Sequence, residues 1–365
     1  MWQLKLKPYL NYMNRKFLFL LLLTCSSCSS IYKFSADVQE PAQFTLPVSA
    51  QNVLILDNTV AQPKEYGIER AYNGQSIRTD YPLSLDSTVW SAMEEIAGVW
   101  NDSHFFKTIG IYKDPLRTNT DWLSVNELTP EDQSDFYDND NYDALLVIDR
   151  LLFSIKENVK KVQSAFYSDE ITDAFVDLRA DGVITCSMYV YGTEKPLATF
   201  SITDSLFMKS IVEGDSTIFF KEIPEYMLHE LSHELGNRAA KRFVPTWETV
   251  DRMFFTGYSA RMQEATSYAA NRKWKNAESL WTTELGKKTK PVDRAKIALN
   301  LAVANEMQDK LDSALNWAQK AKEQLDNVNM SDNSHNIIEL TNKYISELER
   351  RIQNNRLLDL QWGKE

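Results

Sequence analysis

The chain has 365 residues, 43% of them hydrophobic and 12% aromatic, enough apolar material for two separately cored domains and too much for a disordered chain. A net charge of −11 supplies no basic field to neutralise phosphates, which excludes nucleic acid as an expected partner. Only 11 glycines are present, and none forms a phosphate-cradling loop.

Residues 1–28 read as an export signal ending in a lipobox. Asn14, Arg15 and Lys16 form a basic run before a seven-residue apolar core, Phe17 to Leu23. That core is far shorter than the roughly 20 residues a membrane-spanning helix needs, and it suits a cleaved signal. Met13 directly precedes the basic run, so residues 1–12 read as an upstream extension from a misassigned start. Two cysteines compete for lipidation. Cys28 follows the small pair Ser26 and Ser27 and is the expected site; Cys25 has Leu22 three positions before it but Thr24 beside it, and is the alternative. An ordinary secretory signal is the competing reading. A lipidated chain would be held by two or more acyl chains, as stable anchoring requires. No acidic run follows Ser29, so the expected location is the outer membrane, facing the periplasm. Cys186 is then the one cysteine left, and its strand-like setting predicts a buried, inert thiol with no disulfide.

Residues 29–51, with Pro41 and Pro47, read as a tether. The expected α+β domain covers 52–244. Asn52 to Asn58 is a short apolar run with turn residues on both flanks, the mark of a buried strand. Residues 59–82 are polar and loop-like. Ser84 or Asp86 starts a helix whose stripe is Val89, Met93, Ile96 and Ala97, with Trp90 and Trp100 beside it. Phe105–Tyr112 predicts a strand, and 129–143 an acidic linker. Within that linker the run Asp138–Asp143 looks superficially like a calcium loop, but it has Asp143 where the glycine belongs and lacks the closing glutamate. Further strands are expected at Ala144–Ile148, Leu152–Val159, Ala174–Leu178, Gly182–Tyr191 and Leu197–Thr203, with turns at Ala180-Asp181-Gly182 and at 192–196. A helix from Ile223 closes a mixed-sheet sandwich with helices on one face. Val244-Pro245 breaks that helix, and 245–255 reads as a linker.

Residues 256–358 carry no strand signal. Ala265, Tyr268, Ala269, Trp274, Ala277 and Trp281 suggest one helix-turn-helix repeat, and Leu301, Ala302, Asn305, Ala314, Trp317, Ala318 and Ala321 a second. Ala277 and Ala314 lie 37 apart, against about 34 for tetratricopeptide repeats, which implies an insertion near Lys287–Pro291. Ile337–Leu357 would cap the stack; an ordinary helical bundle is the alternative. Cys28, the strand Val53–Leu56, the run Tyr142–Asp149, the segment Gly236–Trp247 and the repeat Ala265–Trp281 together resemble an uncharacterised family of Bacteroidota lipoproteins, with an α+β domain and C-terminal tetratricopeptide-like helices. The resemblance implies location and architecture and no chemistry.

One stretch could carry chemistry. His229-Glu230-Leu231-Ser232-His233 has the spacing of a zinc peptidase: two imidazoles one helical turn apart and a glutamate between them as general base. Gly236 even stands where the longer metzincin motif has its glycine, but Ala239 replaces the third histidine. Glu248 and Glu264 are the carboxylates available as a third ligand, and the charged Glu234 follows the second histidine where an uncharged residue is usual. On a helical wheel Ile223, Met227, Leu228, Leu231, Leu235 and Ala239 share one side, and His229 and His233 point to the other with Glu222, Glu230, Asn237 and Ala240. A catalytic zinc needs a walled site and a second shell, which a polar outer face does not supply. The expected function is therefore a non-catalytic, lipid-anchored periplasmic adaptor that needs no cofactor and holds a protein or peptide on its helical repeats. The alternative is a zinc metallopeptidase with Glu230 as base and His229 and His233 as ligands.

Overall fold

A computed structural model describes residues 31–63, 68–72, 75–79, 86–139, 141–163, 172–212, 225–326 and 332–364. The export signal with Cys25 and Cys28 lies outside them. The chain divides into two compact units. One contains Gln39–Trp247 with Asn355–Glu365, and the other contains Glu248–Asn354 together with the N-terminal segment up to Val38.

The first unit is α+β. Strands β2 (Asn52–Asp57), β3 (Ile68–Tyr72), β4 (Gln75–Thr79), β5 (Thr108–Ile111), β6 (Ala144–Gln163), β7 (Thr172–Val190) and β8 (Ala198–Val212) form one mixed seven-stranded sheet. The long β6 organises it. Its first residues, Ala144–Ile148, pair in parallel with β2, and Ile155–Val159 further along pair in parallel with β3. Its other edge carries β7 antiparallel along its whole length, and β7 carries β8. Strand β5 pairs in parallel with β2, and helix α1 (Asp86–Ser103) makes the crossover between them.

Alternation of side chains explains why β2 and the start of β6 are continuously apolar. Val53, Ile55, Ala144, Leu146 and Ile148 enter a core shared with α1 and with α3 (Glu225–Ala240). Leu54, Leu56, Leu145 and Val147 enter a second core on the opposite face, closed by Leu128, Phe136 and Tyr189. A short helix α2 (Pro130–Ser134) lies before Phe136; Thr129 and Asp132 cap it reciprocally. Trp100 is fully buried and donates from Nε1 to the Ala240 carbonyl at the end of α3. The end of α8 (Asp332–Gln361) also belongs here: Gln361 bonds both backbone groups of Ala42, and Trp362 meets Phe105 edge-on.

Several expected boundaries change. Ala174–Leu178 and Gly182–Tyr191 are one strand, and Ala180-Asp181-Gly182 is no turn. Gly182 is needed for another reason: a Cβ there would come within 2.9 Å of both Leu231 and Leu235, so the missing side chain lets α3 lie close on the sheet. Leu152–Val159 likewise continues β6 without a break. Residues 59–82 contain β3 and β4; β3 pairs in parallel with β6, and β4 pairs antiparallel with β3. The strand expected at Phe105–Tyr112 is confined to Thr108–Ile111.

The second unit is helical and carries a two-stranded ribbon. Residues 31–40 form β1 (Ile31–Glu40) instead of a tether, and 246–255 form β9 (Thr246–Phe255) instead of a linker; the two strands pair with each other. Helices α4 (Ala260–Ala270), α5 (Trp274–Leu285), α6 (Pro291–Glu306) and α7 (Leu311–Leu325) pack in succession, each on the next. Ala265, Ala269 and Ala277 are buried in one core cluster with Trp281, and Ala314, Ala318 and Ala321 in a second. Helix α6 is the centre, with Ile297 through Glu306 all buried. From it Asn300 accepts from the Phe255 N–H at 2.6 Å and donates to the Phe255 carbonyl at 2.7 Å, closing the end of β9 with a side-chain amide. No helix among the described residues is long and apolar enough to cross a membrane.

Candidate functional site

The HELSH stretch lies on α3. Its apolar side is where the wheel puts it: Met227, Leu228, Leu231, Leu235 and Ala239 are in the core. Ile223 and Glu222 lie outside the described residues. The opposite flank is not a bare polar surface, because α1 packs along it. His229 Nδ1 lies 2.7 Å from Ser91 Oγ, and His233 Nδ1 lies 3.1 Å from Glu95 Oε2. Both pairs step by one helical turn in the same direction, so α1 and α3 run parallel with a polar ladder between them. Asn237 Nδ2 adds a 2.7 Å hydrogen bond to Glu95 Oε1. Burial pushes the Glu95 carboxyl up, but the hydrogen bonds from Asn237 and His233 and the nearby His233 and Lys241 charges outweigh it and leave it below its ordinary value.

Gly236 completes this contact. A Cβ at that position would stand 2.7 Å from the Ala92 carbonyl oxygen. The glycine that matches a metzincin position is thus the point of closest approach between two helices. Glu230 is exposed. Glu248 and Glu264 belong to the other compact unit. Among the described residues no three His, Cys, Asp or Glu side chains gather in a way that could hold a metal. Ser91 and Glu95 sit one turn apart on α1, and only the fold tells which helix flank they share.

A second polar cluster lies inside the sheet. Asp149 is the extra residue of a β-bulge between Ile148 and Arg150 and is 1% exposed. Its Oδ2 accepts from Ser187 Oγ at 2.7 Å, and Asn119 Nδ2 bridges the carbonyls of Asn58 and Asp149. Asp149 Oδ1 and Asn58 Nδ2 have no hydrogen-bond partner, so the Asn58 amide eases the cost of the buried carboxyl without a well-formed bond. Desolvation dominates over the Ser187, Asn58 and Arg150 contributions and pushes Asp149 up to about 6. Cys186, the predicted inert thiol, is fully buried beside it, and burial and the Asp149 charge raise it well above an ordinary thiol.

The helical unit holds the third constellation, which the sequence reading missed by treating 245–255 as a linker. Glu306 has a fully buried side chain and receives Arg252 through Nε and Nη2, Arg351 Nη1 and the Tyr344 hydroxyl at 2.6 Å. Arg252 also reaches Glu347 at 3.0 Å. Burial alone would raise the Glu306 carboxyl; the Arg252 hydrogen bonds and charge, Tyr344 and Arg351 more than offset it and hold it low. Burial and the Glu306 carboxylate in turn push the Tyr344 phenol well up. The network is a paired, hydrogen-bonded ionic core.

Above it opens a groove of about 260 Å³. Its walls are mainly apolar: Met253 and Phe255 from β9, Leu299 and Val303 from α6, and Leu340 and Tyr344 from α8. Lys33, Asp251, Arg252, Lys343 and Glu347 also line it. This combination of an apolar lining with a few charged groups suits recognition of a side chain or a short segment.

The chain belongs to the family defined by a domain of unknown function, DUF8603, whose model matches residues 50–255. A second domain of unknown function, DUF6340, matches residues 263–350 in the helical unit. Among solved structures, the PelC dodecamer from Paraburkholderia phytofirmans is similar at 9% identity and a TM-score of 0.22, over 58% of this chain and 99% of that one. A putative neuraminyllactose-binding hemagglutinin homolog from Helicobacter pylori is similar at 13% identity and a TM-score of 0.22, over 52% and 84% of the two chains. Scores this low carry no argument about function. No curated protein matches the sequence.

Proposed function

We propose that this protein is a lipid-anchored envelope adaptor of the Bacteroidota lipoprotein type, non-catalytic, which faces the periplasm from the outer membrane and holds a protein or peptide partner on its helical unit. The groove over the Arg252–Glu306 network is the observation that carries this reading. The successive helix packing from α4 to α7, with alanines buried in its two core clusters, supports treating those helices as tetratricopeptide-like repeats, an architecture in which each pair stacks only on its neighbours and presents a binding surface. The engagement of His229 and His233 with α1 through their Nδ1 atoms supports a packing role for the HELSH stretch.

Affinity capture from envelope extract tests the adaptor reading. The intact chain should retain a partner that a chain lacking 256–354 loses; an unchanged set of captured proteins would overturn it. For the anchor, Cys28→Ser should release the protein from membranes. Retention in that variant, with release in Cys25→Ser, would move the lipid to Cys25.

A further inference from the structure

The open edge of β9 and the charge left over in the groove identify the kind of segment that fits there. Tyr32 stacks on Phe254 with ring centroids 4.9 Å apart, Ser35 Oγ donates to Asp251 Oδ1, and Thr249 Oγ1 donates to Asp37 Oδ1. Moving forward along β1 moves backward along β9, so the ribbon is antiparallel. In such a ladder each residue turns both its N–H and its C=O toward the partner strand or both away, alternating along the strand. Phe255 gives both of its groups to Asn300, so it turns away from β1. Met253 and Asp251 have the same phase and face the same outer edge. There the Asp251 carbonyl is taken by Arg252 Nη1 at 3.0 Å. Among the described residues the sheet has two strands, and no other strand covers this edge. Met253 therefore presents a peptide N–H and C=O to the groove that its own side chain lines.

The charges around that edge do not cancel. Glu347 is paired with Arg252, whereas Asp251, which accepts the neutral Ser35 hydroxyl, keeps its charge. Lys33 and Lys343 are exposed and have no acidic partner among the described residues. Two lysines against the single Asp251 carboxylate leave a positive balance among the described lining residues, on a chain whose net charge is −11. The volume of about 260 Å³ has room for one or two side chains, not for a helix about 10 Å across.

Resting on the adaptor reading, we propose that the groove receives an extended, acidic segment of a partner protein. The segment lies extended against the Met253 N–H and C=O, between the Asp251 carbonyl taken by Arg252 and the Phe255 groups taken by Asn300, seats an apolar side chain against Leu299 and Val303, and brings carboxylates to Lys33 and Lys343. Main-chain pairing supplies the attachment, the apolar pocket the register, and the lysines the preference for acidic over basic sequences.

The test uses the full chain and short fluorescent peptides in an anisotropy titration. A peptide alternating glutamate with valine should bind and weaken with salt, and its lysine counterpart should not bind. The Lys33→Glu/Lys343→Glu double variant should lose about tenfold or more in affinity for the acidic peptide; both lysines are exposed, so folding is not at risk. N-methylation of the peptide backbone should abolish binding. Equal binding of acidic and basic peptides, no binding of the acidic one, indifference to the double reversal, or full binding of the N-methylated peptide would each overturn the proposal. Envelope capture with the same double variant separates the two readings. Partner capture that depends on 256–354 yet survives the reversal leaves the adaptor standing and removes the groove. Peptide binding without any such captured partner does the opposite.

Discussion

Replacing Asp149 by asparagine should change how the stability of the α+β unit depends on pH. Asp149 is buried at a bulge with one oxygen unpartnered, and its carboxyl is raised from 3.8 to about 6, chiefly by desolvation. A carboxyl raised on folding binds its proton more tightly in the native state. Its stabilising contribution is therefore complete below about pH 4 and is lost as pH rises through about 6. At roughly 1.4 kcal/mol per pH unit, that loss is about 3 kcal/mol. Asp149→Asn has no charge to bury, and its amide oxygen can still accept from Ser187. The new amide N–H₂ would face the equally unpartnered Asn58 Nδ2, a pH-independent cost of about 1–3 kcal/mol. The clean quantity is therefore the change in the variant-minus-native stability between about pH 4 and pH 7. It should rise by about 2–2.5 kcal/mol, most of the full loss, with other titrating groups cancelling. Urea unfolding of both proteins at the two pH values measures it. A stability difference that stays constant across that range would refute the reasoning, because it would mean Asp149 titrates alike in the folded and unfolded chains.

Gly236→Ala should destabilise by about 1–3 kcal/mol through overpacking against the Ala92 carbonyl, read as a lowered unfolding midpoint; an unchanged midpoint would show that α1 and α3 can move apart freely. Glu306→Ala leaves Arg252 and Arg351 without their shared carboxylate and should cost about 3–5 kcal/mol, seen as early loss of helical circular dichroism on heating. Metal analysis of purified protein should show no stoichiometric zinc, and His229→Ala should leave that result unchanged; bound zinc that disappears in His229→Ala would restore the peptidase reading.

What could be read from the sequence was local and apolar. The run Val53–Leu56 and the stretch Ala144–Ile148 declare buried strands because both faces are covered. The stripe Val89, Met93 and Ile96 marks α1 because one flank is buried. The elements that were missed depend on partners distant in the chain. Strand β1 finds β9 more than two hundred residues later, and its alternating Tyr32 and Phe34 make sense only once Phe254 and Trp274 are beside them. Strand β3 is received by the far part of β6, and β4 by β3 in turn. Gly182 looks like a turn residue and is instead a close-packing position under α3. The HELSH motif shows the same limit: its spacing suggests a metal, while Ser91 and Glu95, which engage its imidazoles, lie 138 residues away.

The proposed docking of a partner on the helical unit at the groove can be probed by crosslinking. A photo-crosslinking phenylalanine analogue placed in the intact chain, expressed in cells, gives the sharpest test. One version carries the analogue at Leu340 in the groove wall, and another carries it at the exposed Glu230 on α3. Irradiation should attach a second protein to the chain probed at Leu340 and none to the chain probed at Glu230. A partner attached only through the Glu230 position would contradict the account and return attention to the HELSH helix.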